Sequence, residues 1–272
     1  MSPPRNPEVV WTLSPGVLSA LAVYLTVYLV RWLRVRRDIG ARAAGGWRLV
    51  SFAGGIGCLA IALVSPIDRL GEQLLVFHVA QHIFLMDLAA ILLLGGLTRA
   101  ILRPLSVHLV RLERAAGPLG HPAFAVLLYG GVLWLWHVPA LYQLGLENPT
   151  LHPLQHVSFA LAALAFWWHV LSPIRSRRRL AGMAVVFYVG AAKLFAGGLG
   201  SVLSWSPVFL YDFYARQPGY LGLDPTEDQA LAGALILAEG SVVLTVAAVA
   251  LFVRMLAESE REQQRAERFG PG

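Results

Sequence analysis

The sequence predicts an all-α, polytopic integral membrane protein with seven transmembrane helices. Three observations lead to this fold class. The 272-residue chain is 57% hydrophobic and only 14% charged. It contains several apolar runs of about 18 or more residues, the length that a helix needs to cross a bilayer. Its arginines gather between these runs rather than within them, as the loops of membrane proteins require.

Runs of about 18 to 25 apolar residues locate the predicted spans. They lie near 15–33, 47–64, 72–96, 122–139, 151–171, 180–203 and 229–253. No soluble domain or repeat interrupts them, so residues 1–272 are predicted to be one membrane domain that ends in a charged tail, 254–272. The N-terminal stretch shows no small-residue cleavage site after an apolar core, so the first span is expected to be retained.

The basic residues predict the orientation. Eighteen of the 22 lysines and arginines follow spans one, three, five and seven. The positive-inside rule places these segments in the cytoplasm, with the N-terminus outside and the C-terminus cytoplasmic. Arg5, Arg69 and Arg216 then lie outside, and Lys193 falls within a span. Topology thus accounts for the net charge of +6, and no nucleic-acid partner is expected.

The third span carries the most informative side chains. His78, His82 and Met86 stand at positions i, i+4 and i+8, so they share one face of a helix, and Asp87 follows directly. Ionisable groups inside a membrane are costly and are kept where they have a partner and a function. The search for a functional site therefore begins on this span.

The predicted topology brings further histidines to the same depth. Span four ends on the outer side, where span five begins, so the histidines of both lie beside those of span three. The five are His78, His82, His137, His152 and His156. Two HxxxH pairs beside a fifth histidine favour a metal site. The alternative is a set of hydrogen bonds between helices, which buried polar groups in membranes commonly form.

The ligand types narrow the choice of metal. Several imidazoles near a thioether favour copper over magnesium or calcium, and Cu(II) ranks highest for nitrogen ligands. Zinc remains an alternative. Met86 and Cys58, the only cysteine, are candidate soft ligands, although Met86 equally suits ordinary core packing. A single haem held between His78 and His156, in a membrane oxidoreductase, is a further alternative.

A second polar set lies near mid-membrane in spans three, six and seven. Lys193 and Glu239 are predicted to form an ion pair, with Asp87 within reach. The set indicates either a proton or ion relay, as in a metal or proton transporter, or a structural pair that holds spans six and seven together. The sequence leaves both interpretations open.

The outer segment 204–228 is rich in tryptophan, tyrosine and proline. Aromatic residues suit a membrane interface, so this segment is either an interfacial loop or a partly ordered cap over the outer half, with a docking surface for a partner. Of the remaining histidines, His108 and His121 fall in a cytoplasmic loop and His169 near the cytoplasmic end of span five.

Three motifs resemble those of one family. They are FHVAQHIFLM at 77–86, WHVPALY at 136–142 and LHPLQHVSFALAALAFWW at 151–168. Their order and spacing are similar to those of the CtaG-type cytochrome c oxidase assembly factors of bacteria. The resemblance implies a non-enzymatic, multi-pass protein of the bacterial plasma (inner) membrane that is needed for maturation of a haem-copper oxidase. Its partners would be an oxidase subunit or other assembly factors, within the surrounding lipid.

The motifs of the family match individual residues of this chain, and the resemblance implies that copper is supplied through these residues. The matching residues are His78, Gln81, His82, His137, Pro139, His152 and His156. Family members often have two prolines where this chain has Ala89 and Ala90, and a proline where His169 stands. Because proline is the usual cause of a helix kink, no proline kink is expected in span three. The expected ligand set is unaffected.

Overall fold

A computed structural model describes residues 6–174 and 178–269, and throughout these ranges the regular structure is helical. Arg5, part of the basic loop after span five (175–177) and the end of the predicted tail (270–272) lie outside the described residues. The helices are α1 (Pro15–Asp38), α2 (Gly46–Val64), α3 (Pro66–Gly71), α4 (Leu75–Ile83), a π-helical segment (Phe84–Ala89), α5 (Ala90–Gly96), α6 (Ser106–Ala115), α7 (Pro122–Trp136), α8 (Pro139–Glu147), α9 (Leu151–Leu171), α10 (Met183–Trp205), α11 (Asp212–Ala215) and α12 (Pro225–Phe269).

Within the described ranges, six helical units are long and apolar enough to cross a membrane. They are α1, α2, the continuous unit from α4 to α5, α9, α10 and α12. A seventh span arises if α7 and α8, which meet at an angle of 74°, are taken as one bent span. The predicted class, an all-helical polytopic membrane protein, is confirmed.

The predicted fourth span, 122–139, is wrong as a single helix. Helix α7 ends at Trp136, and the chain turns before α8 begins at Pro139. Proline disfavours helical backbone in the residue before it, and Val138 is indeed extended, with φ −61° and ψ 123°. The break leaves His137 at the corner, at the end of α7.

The third span begins at Leu75, later than the predicted 72, and it is interrupted by the π-helical segment. The span is therefore irregular, although it lacks the pair of prolines that family members often have. The indole of Trp167 donates to the backbone oxygen of Met86, 3.2 Å away, and so satisfies a carbonyl group in the irregular stretch. Such π turns widen a helix and occur often at functional sites. Here the segment carries Asp87, which is 3% exposed.

Helix α12 begins at Pro225, before the predicted 229, and continues through most of the predicted tail. Its first turn is a capping box. The Asp224 carboxylate accepts from the backbone N–H groups of Thr226 and Glu227, and the Glu227 carboxylate accepts from the N–H of Asp224. This arrangement fixes the start of the helix that carries Glu239.

Close contact between helices depends on small residues. A β-carbon added at Gly200 of α10 would lie 2.9 Å from the backbone oxygen of Gly233 on α12. A β-carbon at Gly55 of α2 would lie 2.7 Å from Leu93 Cγ on α5. Glycine lets these backbones touch, as in other membrane helix pairs. The α10–α12 contact brings the helices of Lys193 and Glu239 side by side.

Asp228 ties the start of α12 to the start of α4. Its carboxylate accepts from the backbone N–H groups of Leu75 (2.6 Å) and Val76 (3.1 Å), and the side chain is buried. We expect Asp228→Ala to lower the free energy of unfolding by about 1–2 kcal/mol, because helix α4 loses its cap. Thermal unfolding in detergent measures this loss. Asp228→Asn, which keeps one acceptor oxygen, should lose less, and an unchanged stability in Asp228→Ala would contradict the capping role.

Candidate metal centre

The five histidines predicted from the sequence lie together. His78 and His82 project from α4, His137 follows α7, and His152 and His156 lie in the first two turns of α9. The His78 ring centroid is 4.4 Å from that of His82, 5.9 Å from His152 and 6.3 Å from His156. The His82 centroid is 5.8 Å from His137 and 6.1 Å from His156.

Most of the ring nitrogens in this histidine cluster are buried and have no protein partner. Seven of them form no hydrogen bond within the described ranges: both nitrogens of His78 and of His82, and Nε2 of His137, His152 and His156. Buried polar atoms in folded proteins almost always have a partner. Seven exceptions in one place indicate that something other than the described side chains satisfies them.

His137 shows how one ring is prepared for a ligand. Its Nδ1 lies 2.7 Å from the backbone oxygen of Leu133. A carbonyl oxygen only accepts, so Nδ1 carries the proton and Nε2 is left with a free lone pair. A backbone carbonyl commonly orients metal-binding histidines in this way. The lone pair lies in the buried, unpartnered part of the cluster.

The separations suit a metal, whereas the present ring orientations do not. Two imidazoles that share one ion through bonds of about 2 Å have centroids about 5 to 6 Å apart. The observed separations bracket this range. Within 6–174 and 178–269, however, no three His, Cys, Asp or Glu side chains have ligand atoms placed to hold one ion. Rings such as His78 and His82, inclined by 75°, must therefore rotate before they bind together.

Two buried glutamines extend the cluster. Gln81 donates from Nε2 to Ala62 O (2.7 Å) and to the carboxylate of Asp68 (2.8 Å), while its Oε1 has no described partner. Gln155 is fully buried, and neither of its amide atoms has one. The site predicted from the sequence does not include Gln155, although an amide next to His156 in an apolar span was an available signal.

Asp68 lies on α3, outside the candidate spans, and is hydrogen-bonded to Gln81 of the helix that carries two of the histidines. Burial raises the pKa of its carboxyl group, and this effect is opposed by hydrogen bonds from Thr12 and Gln81. The residue thereby connects the N-terminal segment to the helix that carries His78 and His82.

Tyrosines from the outer segment close over the histidines. The Tyr211 hydroxyl donates to the backbone oxygen of His137 (3.1 Å), and the Tyr214 hydroxyl donates to that of Gly71 (2.7 Å). Tyr142 packs on Tyr211 with ring centroids 4.2 Å apart and is hydrogen-bonded to Tyr214. All three tyrosines are buried. The segment 204–228 is therefore an ordered cap, held from beneath by two phenol groups.

A cavity of about 30 Å³ lies below the histidine cluster. Its walls include His82, His137, Met86, Asp87, Lys193 and Glu239. A cavity of this volume has room for about two water molecules. Met86 belongs to the buried apolar core as well, which supports its packing role. Cys58 is a half-buried residue of α2 and takes no part in these walls.

The predicted ion pair of Lys193 with Glu239 is present, and Asp87 joins it. The Lys193 ammonium donates to Glu239 Oε1 and to Asp87 Oδ2, both 2.9 Å away. Asp87 also accepts from the Tyr129 hydroxyl (2.8 Å) and from the Trp167 indole (3.2 Å). We call Asp87, Lys193 and Glu239 the buried triad. It borders the same cavity as the histidine cluster.

The geometry offers no support for a haem between His78 and His156. Their ring centroids are 6.3 Å apart, and the rings of His82 and His152 pack against both members of the pair at 4.4 to 6.1 Å. The adjoining cavity is far smaller than a porphyrin. Haem binding would require these side chains to leave the interior.

The fold and the site together define a polytopic helical membrane protein with a buried histidine cluster near one end of its bundle. The family model of the cytochrome c oxidase caa3 assembly factors (Caa3_CtaG) matches residues 26–258, and the chain belongs to this family. The members of this family are described as assembly factors of that oxidase.

A curated relative is an uncharacterized protein of Mycobacterium leprae (strain TN), which is 23% identical over 290 residues. The match covers 97% of this chain and 43% of the relative, so the chain spans less than half the length of that protein. No solved structure matches the chain.

Proposed function

We propose that this protein binds copper in the histidine cluster and delivers it to a copper centre of cytochrome c oxidase, without catalysing a reaction itself. The observation that carries the proposal is the set of seven buried ring nitrogens that lack a protein partner. Each unsatisfied buried polar group costs about 1–3 kcal/mol. An ion bound by several of the rings would satisfy one nitrogen of each of them.

The donor set favours copper. The cluster offers nitrogen ligands, and the thioether of Met86 lies in the wall of the adjoining cavity. Carboxylate-preferring ions such as magnesium and calcium find no oxygen-rich cage among the five rings, whereas imidazole suits copper, with zinc as the competitor. Three or four of the five histidines would be direct ligands. The others would take part in exchange as the ion enters and leaves.

Delivery requires a route out of the cluster. His152 is less buried than His78, His82 and His137, and it lies at the start of α9. The predicted topology places this end of the bundle in the outer half of the bacterial plasma membrane. Displacement of the tyrosine cap by an oxidase subunit or another assembly factor would expose the ion for transfer.

The test is metal analysis of the purified full-length protein from copper-replete cells. We expect about one copper ion per chain in the wild type and at least about a tenfold lower content in His78→Ala/His82→Ala. The matched control is His108→Ala/His121→Asn, which removes two exposed histidines elsewhere; asparagine keeps the acceptor that His121 provides to the N–H of Ala123. The control should retain its copper.

Each other outcome points to a different account. Copper that persists in His78→Ala/His82→Ala would contradict the site assignment. A Soret band would favour the haem-binding oxidoreductase, and zinc in place of copper would correct the metal. A metal-free protein from copper-replete cells would favour a scaffold that assembles the oxidase without handling its metal.

One observation favours a second candidate function, a metal or proton transporter. The buried triad joins three membrane-spanning helical units and borders a water-sized cavity. Intramembrane groups of this kind serve as relays in transporters. Metal-dependent flux into vesicles that disappears in Glu239→Gln would favour transport over delivery to the oxidase.

A further inference from the structure

Helix α6 packs little against the rest of the chain. It lies in the segment that joins α5, which ends at Gly96, to α7, which begins at Pro122, and both of these helices belong to candidate spans. From 103 to 124, a stretch that the structure describes throughout, every residue is half-buried or exposed. Isolated helices shorter than about 12 residues are marginal in water, because most helical stability comes from packing of an apolar face. A ten-residue helix such as α6 therefore needs a surface to pack against.

The outward face of α6 is partly apolar. Val107 is 55% exposed and Leu112 is 67% exposed, and Leu105 and Leu119 are exposed on either side of the helix. Val107 and Leu112 lie about 140° apart around the helix axis at 3.6 residues per turn, with Arg111 between them. Apolar and basic side chains thus share one broad exposed face.

The same segment is strongly basic. Residues 97–121 contain four arginines and one glutamate, Glu113, so their net charge is +4 − 1 = +3 with the histidines neutral. All four arginines are exposed, and their side chains form no ion pair with the described residues: Arg99, Arg103, Arg111 and Arg114. Their charge is therefore available to an anionic partner.

A face that is both apolar and positive fits the boundary of a bilayer that contains anionic lipids. Aliphatic side chains enter the acyl boundary, while arginine stems lie along it and place their guanidinium groups at the phosphates. The segment is held near this boundary, since both of its ends join helices of candidate spans. A second copy of the chain fits less well, because two such faces would bring like charges together.

We propose that α6 is an interfacial helix that binds anionic phospholipids. Val107 and Leu112 lie in the acyl boundary, and Arg111 and Arg114 bind the phosphate groups. The lipid supplies the packing surface that the chain itself does not give to this helix. The proposal does not depend on copper binding, because none of its residues belongs to the histidine cluster.

Lipid binding by the full-length protein tests the role of charge. The protein is delipidated in neutral detergent and given an equal mixture of dioleoyl-phosphatidylglycerol and dioleoyl-phosphatidylcholine, and the bound lipids are counted by native mass spectrometry. We expect the wild type to prefer phosphatidylglycerol and Arg111→Gln/Arg114→Gln to lose at least about fivefold of this preference, the contribution of one arginine near an anionic surface. Arg111→Lys/Arg114→Lys keeps both charges and should keep the preference. Arg216→Gln, an exposed change in the cap, should keep it as well.

A depth measurement tests the apolar contact. A nitroxide label is attached at Leu112→Cys in a Cys58→Ser protein, in nanodiscs of the same two lipids, and its relaxation by oxygen and by a water-soluble nickel chelate is compared. We expect oxygen, which concentrates among acyl chains, to dominate at this position, and the nickel chelate to dominate at Ala215→Cys of the cap.

Two results would overturn the proposal directly. They are an unchanged phosphatidylglycerol preference in Arg111→Gln/Arg114→Gln and a label at Leu112→Cys that relaxes mainly through the nickel chelate. Shielding of this label from both agents would also overturn it, in favour of a protein partner or a second copy of the chain on this face.

Discussion

Replacing Lys193 by methionine is expected to destabilise the protein by about 3–5 kcal/mol, the range found when one partner of a buried ion pair is removed. The three N–H groups of the ammonium donate to Asp87, to Tyr129 and to Glu239, both of whose oxygens lie within bonding distance. Methionine keeps most of the volume but leaves two acids without a counter-ion. Denaturation of the purified protein in detergent measures the effect.

A rescue experiment separates charge from packing. If the loss arises from uncompensated carboxylates, the triple variant Lys193→Met/Asp87→Asn/Glu239→Gln should recover most of the stability, because no ionisable member of the triad remains. If it arises from lost packing at the α10–α12 contact, the triple variant should be as unstable as the single one. A single Lys193→Met variant as stable as the wild type would contradict the central role of this residue.

His78→Ala/His82→Ala is expected to abolish cytochrome c oxidase activity in cells that depend on this protein, while the variant still accumulates in the membrane. No ring nitrogen of either histidine has a described hydrogen-bond partner, so their removal breaks no such bond in the fold. The rates of cytochrome c oxidation and the membrane level of the variant are the two measurements. His108→Ala/His121→Asn should behave as the wild type in both.

Two other results would require a different account. Oxidase activity that survives in His78→Ala/His82→Ala would mean that the cluster is dispensable for assembly. Loss of the variant from the membrane would mean that the histidines stabilise the fold, as partners between helices do.

The histidine cluster could be predicted because two simple periodicities act together. The i, i+4 spacing fixes the relative positions of His78 and His82 and of His152 and His156 on their helices, and the alternation of basic loops sets the direction in which each span runs. Depth then follows from helical rise. The ion pair of Lys193 with Glu239 was predictable for a related reason, because a charge buried in a membrane requires a partner.

Other parts of the site depend on contacts between distant residues. No proline within the π-helical segment indicates its irregular geometry in the sequence. Trp167 and Tyr129, which are distant in the chain, donate hydrogen bonds to residues of this segment. The aromatic outer segment indicated either a loop or a cap, and only the bonds from Tyr211 and Tyr214 to backbone carbonyls decide between them. The break before Pro139, in contrast, carried a local signal in the proline itself.

The most direct test of copper delivery is the ratio of copper to haem in cytochrome c oxidase purified from cells that carry either the wild-type protein or His78→Ala/His82→Ala. The account predicts an oxidase that still contains its haem and its subunits but has lost most of its copper in the variant cells. An oxidase with its full copper content in those cells would contradict the proposal that the histidine cluster supplies the metal.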